Sequence, residues 1–74
     1  MVRAINNIYI VEVTLNATDK YYLSDFDYSL TKNIRNSLIF VNENNAYKFA
    51  SIIETIYENS LGKVKEEEIK KIFF

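Results

Sequence analysis

The sequence predicts an α+β domain, a small antiparallel sheet packed on one amphipathic helix. Three observations carry this. Two apolar segments of strand character flank a turn-forming cluster near the N-terminus. A short continuous apolar run stands in the middle of the chain. A helix-period pattern then begins directly behind an asparagine cap. With 74 residues there is room for one domain, spanning 1–74, and one principal core.

The first strand is carried by Tyr9, Val11, Val13 and Leu15, which alternate with Ile10, Glu12 and Thr14. Ile8 and Ile10 make the outer face apolar at its start, so that end should be covered. Asn16-Ala17-Thr18-Asp19 is a turn cluster, because Asn and Asp tolerate left-handed backbone and bond their own main chain. Lys20 to Phe26 then forms the second strand, giving a hairpin over about 8–26 with a loop of roughly four residues. On strand alternation, Tyr21 shares a face with Leu23, and Tyr22 shares the other with Phe26. From Asp25 to Asn36 the polar residues read as a loop, pinned to the body by Tyr28, Leu30 and Ile34. Leu38-Ile39-Phe40-Val41 reads as a third strand, 38–41, buried on both faces.

Asn42 suits an N-cap, and Glu43 suits the positive end of the helix dipole. Ala46, Phe49, Ala50, Ile53 and Tyr57 fall on one helical face, which Ile52 and Ile56 widen. Gly62 stands where a C-cap wants a left-handed residue. The helix is accordingly expected over about 43–60. The C-terminal segment 64–73 is assigned to a strand that covers an open sheet edge. Its alternative is a second helix, favoured by local propensity and by Glu66-Glu67-Glu68 preceding Lys70-Lys71.

Composition restricts the chemistry. There is no His or Cys, so zinc fingers, haem ligation, disulfide frameworks and imidazole-based hydrolysis are excluded. The single Gly excludes a glycine-rich phosphate loop. Asp25-x-Asp27 lacks the further oxygen ligands a divalent cation needs. Glu66, Glu67 and Glu68 cannot share one face of a helix or a strand, so they read as a solvated charge run. No catalytic, cofactor-binding or metal-binding residue is nominated, and the chain is read as non-enzymatic. A net charge of −1 disfavours a generic nucleic-acid binder. No segment has the apolar length of a membrane span or the anatomy of a signal peptide, so a cytoplasmic location is expected.

The remaining signal is aromatic. Tyr21, Tyr22, Phe26 and Tyr28 are more than one helix can cover, and Lys32 and Arg35 follow closely. Tyr and Arg are enriched at interface hot spots, so these six residues are the candidate contacts for a protein partner. An aromatic strand beside a basic loop also suits single-stranded nucleic acid, which makes a small regulator built on Tyr22, Phe26, Lys32 and Arg35 the alternative. A homodimer formed by strand addition, through the hairpin or the C-terminal IKKIFF, is the structural alternative.

The hairpin strings YIVEVTL and KYYLSDF, followed by LIFVNENNAYKFASII, resemble small accessory proteins of bacteriophages and mobile elements. The likeness is carried by Leu38 to Ala50 and covers about half the chain. It implies an inhibitor of a bacterial host's defence system, of the anti-CRISPR kind, that works by blocking a surface of a host nuclease complex. No residue's role is transferred by it.

Overall fold

The computed structural model describes residues 7–73. Four strands form one antiparallel sheet: β1 (Asn7–Leu15), β2 (Asp19–Leu23), β3 (Leu30–Thr31) and β4 (Ser60–Glu68), in the order β3-β2-β1-β4. The main helix, α1, spans Glu43–Ile56, and a short α2 spans Ile69–Phe73. A single 3-10 turn occupies Ile34–Asn36. The fold is therefore the expected small α+β arrangement, with differences in detail that follow from the register.

β1 is the axis of the sheet. It pairs with β2 through a three-residue loop, Leu15 opposite Asp19, and with β4 along its whole length, from Asn7 opposite Glu68 to Leu15 opposite Ser60. The loop holds two left-handed residues in succession, Asn16 (φ 53°) and Ala17 (φ 67°), as tight hairpin turns require. The odd residues of β1 face α1. Val11 and Val13 are fully buried there with Leu23, Ala46 and Ile53, while Phe40 and Ala50 complete the cluster. Fully burying each large aliphatic side chain contributes about 1.5–3 kcal/mol.

The opposite face has a second, smaller cluster. Ile8 and Ile10 are covered by Ile72 and Ile69 of α2, with Ile34 and Tyr22 alongside. The apolar start of β1's outer face is thus covered, as its sequence required. Glu12 lies buried on this face, its carboxylate 3.4 Å from the Lys65 ammonium on β4. That contact keeps the buried charge paired, without which it would be strongly unfavourable.

Several boundaries move. β2 stops at Leu23 and not near Phe26, because a turn begins at Asp25. The expected strand at 38–41 is reduced to one bridge, Phe40 opposite Tyr9, with N–H to C=O bonds of 2.8 Å in both directions. The Leu38 N–H donates to the Leu23 carbonyl, so this segment continues the line beside β1 that β2 has vacated. Only Phe40 is buried to the core; Ile39 and Val41 are exposed, which corrects the two-sided burial expected of the run.

The Asn42 cap is as expected, its side-chain oxygen accepting from the Asn44 N–H at 2.8 Å. The helix ends at Ile56, four residues earlier than expected. Tyr57 is already extended, and left-handed Asn59 (φ 57°) turns the chain so that Ser60 can pair with Leu15. Gly62 consequently caps nothing. It lies inside β4 beneath α1, where an added Cβ would stand 2.5 Å from the Ala50 carbonyl oxygen. The C-terminal segment unites both readings, being strand to Glu68 and helix from Ile69; Phe74 lies outside the described residues.

Candidate protein-interaction surface

The turn between β2 and β3 is built by its own polar side chains. The Ser24 N–H and hydroxyl both donate to the Ser29 carbonyl, at 2.8 and 3.0 Å. The Asp25 carboxylate accepts from the Phe26 N–H at 2.7 Å. The Asp27 carboxylate accepts from the Ser29 N–H at 3.0 Å and the Ser29 hydroxyl at 2.6 Å. The bonds from Ser29 hold the Asp27 carboxyl below its ordinary pKa, because they favour the charged form. Asp25 and Asp27 therefore act as turn-formers.

This turn holds Tyr28 in left-handed backbone (φ 67°), a conformation disfavoured for a bulky side chain. Three contacts fix it. Its N–H donates to the Asp25 carbonyl at 3.1 Å, and the Tyr28 carbonyl accepts from the Tyr57 hydroxyl at 2.7 Å. Its ring lies against Phe49, centroids 5.4 Å apart. Phe49 is the hub of the region, since Phe40 (5.2 Å) and Phe26 (5.8 Å) also tilt against it. Such offset aromatic pairs add about 0.5–1.5 kcal/mol each beyond burial.

Phe26 gains little shelter from that contact and remains 64% exposed. On α1, Ile52 and Ile56 follow Phe49 at helical spacing, 41% and 49% exposed. Phe26, Phe49, Ile52 and Ile56 thus form one apolar surface on the β3-side flank of α1, with Asp25 and Asp27 at its rim. The last three lie on an element whose apolar face the sequence assigned to the core. The available signal was the width of that face. Ile52 and Ile56 sit roughly 80–120° round the helix from Ala46, beyond what packing on a sheet uses.

The six sequence-nominated residues do not form one site. Phe26 and Tyr28 meet at Phe49. Tyr21 stands opposite Val13, so it is on the α1 face, with the Lys32 ammonium 5.3 Å from its ring centroid. Tyr22 is on the other face with Ile8, Ile10 and Ile34, so it is occupied in packing. Arg35 is exposed on the 3-10 turn. Phe26 does not share a face with Tyr22, as alternation implied, because the chain leaves the strand at Ser24 and turns. The nucleic-acid platform of Tyr22 with Phe26 is therefore not assembled.

Elsewhere the surface offers a shallow groove of about 700 Å³, lined by Thr14, Asn16, Ala17, Asn59, Ser60 and Leu61. None of these side chains is titratable. Among the described residues no group of three or more His, Cys, Asp or Glu side chains is placed to hold a metal ion, and no helix is long and apolar enough to cross a membrane. No protein-family model, curated protein or solved structure matches the chain.

Proposed function

We propose that the chain is a non-enzymatic protein-binding module whose contact surface is centred on Phe26, Phe49, Ile52 and Ile56. The observation that carries this reading is Phe26, an aromatic side chain left 64% exposed at the tip of a turn held by six hydrogen bonds of its own. Rigid aromatic anchors lose little conformational freedom on binding, which is why they dominate interface energetics. The partner surface that suits it is apolar, with basic side chains placed to meet Asp25 and Asp27.

The likeness to small phage accessory proteins supports a finer version, in which the partner belongs to a bacterial host's defence complex and is inhibited by occlusion. Two variants test both levels, Phe26→Ser and Ile52→Asp, chosen because each alters an exposed side chain. The expected result is a defined host protein retained by the native chain and not by either variant, with protection in phage or plasmid interference assays lost in parallel. Retention that neither variant disturbs, or no retention at micromolar concentration, overturns the binding reading. Retention without protection overturns the inhibitor reading alone.

A further inference from the structure

The two margins of the sheet are unequal, β4 running nine residues and β3 only two. Main-chain parity determines which β4 groups face outward. Tyr9 exchanges both of its main-chain bonds with Phe40, on the β2 side of β1. The odd residues of β1 therefore direct their N–H and C=O groups toward β2, and the even residues toward β4. The β4 residues opposite Ile8, Ile10, Glu12 and Thr14 are Glu67, Lys65, Lys63 and Leu61. These four make the ladder with β1, so the main chain of Gly62, Val64, Glu66 and Glu68 points away from the sheet.

The Gly62 N–H is taken by the Glu54 carboxylate at 2.8 Å. Among the described residues, the outward groups of Val64 and Glu66 have no main-chain partner, while Glu68 leads into α2. On the α1 face acidic side chains flank this open edge, while Lys63 and Lys65 lie on the other face. Glu66 lies on the α1 side of β4, and Glu54 reaches the edge from α1. Glu43 stands close enough to act with Glu66 and Tyr47 on the Tyr9 hydroxyl, whose pKa is raised first by Glu66, then by burial. None of Glu43, Glu54 or Glu66 is in a salt bridge among the described residues, whereas Glu68 has Lys71 at 3.7 Å. Tyr47, 54% exposed, stands beside them.

We propose that the outer edge of β4 accepts an extended peptide segment as a fifth strand, one carrying Lys or Arg at alternate positions. Pairing at Val64 and Glu66 satisfies the open main-chain groups, as in other strand-addition complexes. Alternate side chains of the added strand fall on the α1 side, where a cation meets Glu43, Glu54 or Glu66 and the ring of Tyr47. A second copy of the chain fits less well. Parity pairs even residues with even residues, so antiparallel self-pairing centred on Val64, Lys65 or Glu66 sets Lys63 against Lys65, Lys65 against Lys65, or Glu66 against Glu66. Like charges directly opposite are destabilising.

The test uses the full chain, isotopically labelled, titrated with a short peptide alternating Val and Lys and with its Val–Glu counterpart. The Val–Lys peptide is expected to shift the amides of β4 and Tyr47, with affinity that falls as salt rises. The Val–Glu peptide should bind at least about tenfold more weakly, as two or three opposed charges imply. Glu66→Pro removes an outward N–H and leaves the β1 ladder complete, so it should abolish binding in a folded protein. The double reversal Glu43→Lys, Glu66→Lys should switch the preference to the Val–Glu peptide. Shifts centred on Phe26 and Ile52, equal binding by Glu66→Pro, an unswitched preference, or protection of β4 amides by self-association at high concentration would each overturn the proposal. The Phe26 surface lies on the opposite flank of α1, so either reading can fail alone.

Discussion

Replacing Gly62 by alanine tests the packing of α1 on the sheet most directly. The new Cβ would stand 2.5 Å from the Ala50 carbonyl oxygen and 3.0 Å from Ile53 Cγ2, while ordinary contact begins near 3.4 Å. The nearer atom is helix backbone, so it cannot turn aside as a side chain would. The helix must lift by most of an ångström over β4, loosening Ala50 and Ile53 in the core. Overpacking of this kind costs about 1–3 kcal/mol, and here the upper part of that range applies. Alanine's lower chain entropy returns about 0.5–1 kcal/mol, leaving a net loss of about 2 kcal/mol. In a domain of this size that lowers the thermal midpoint by about 8–16 °C. Thermal and urea unfolding, followed by circular dichroism, measure it. Lys63→Ala, on the opposite face, is the control and should stay within about 0.5 kcal/mol of the parent. A Gly62→Ala midpoint at or above that of the parent would refute the account of Gly62 as a contact point for the helix.

Three further outcomes follow from local geometry. Ala17 is exposed and left-handed (φ 67°), so Ala17→Gly should raise stability by about 0.5–1 kcal/mol; a lowered melting midpoint would contradict this. Tyr57→Phe removes the donor to the Tyr28 carbonyl and should cost about 0.5–1.5 kcal/mol while speeding amide exchange at Tyr28 and Ser29, whereas unchanged exchange would show that the turn holds without it. The Asp27 pKa is depressed in the folded state, so its support of the turn is present above the ordinary carboxylate range and is lost as pH falls through its folded value. A carboxyl titration by NMR should place Asp27 below its usual value, and Ser29→Ala should move it back up; no movement would assign the shift to another cause.

What was legible in the sequence was what repeats at short range. β1 and the start of α1 announce themselves through periods of two and of about 3.6, and Asn42 caps where a cap belongs. What was not legible depended on partners distant in the chain. Leu38 to Val41 has strand composition, yet only Phe40 bridges to β1, while the Leu38 N–H is taken by Leu23 at the end of β2. Gly62 looked like a helix terminator from its spacing, but its necessity comes from Ala50 pressing on β4. The aromatic surplus was visible as a count. Its distribution was not, since Ile34, Ile69 and Ile72 cover the second face and occupy Tyr22, while a turn at Asp25 carries Phe26 round to Phe49. Phe49, Ile52 and Ile56 were visible as an unusually wide helical face, and only the finished packing separates what is buried from what is left over.

The pairing of β1 with β4 also governs how the protein gives way under load. Asn7 and Glu68 are neighbours at the same end of an antiparallel pair. Tension applied across these two points is borne by one rung of the ladder at a time, in the manner of a zipper and not of a sheared seam. An unfolding machine drawing on the C-terminal side would first detach α2 and then peel away a marginal strand that, among the described residues, is held along one side only. Loss of that strand removes Gly62 from beneath α1 and Lys65 from buried Glu12 in the same stroke, so extraction of one edge dismantles both faces of the domain.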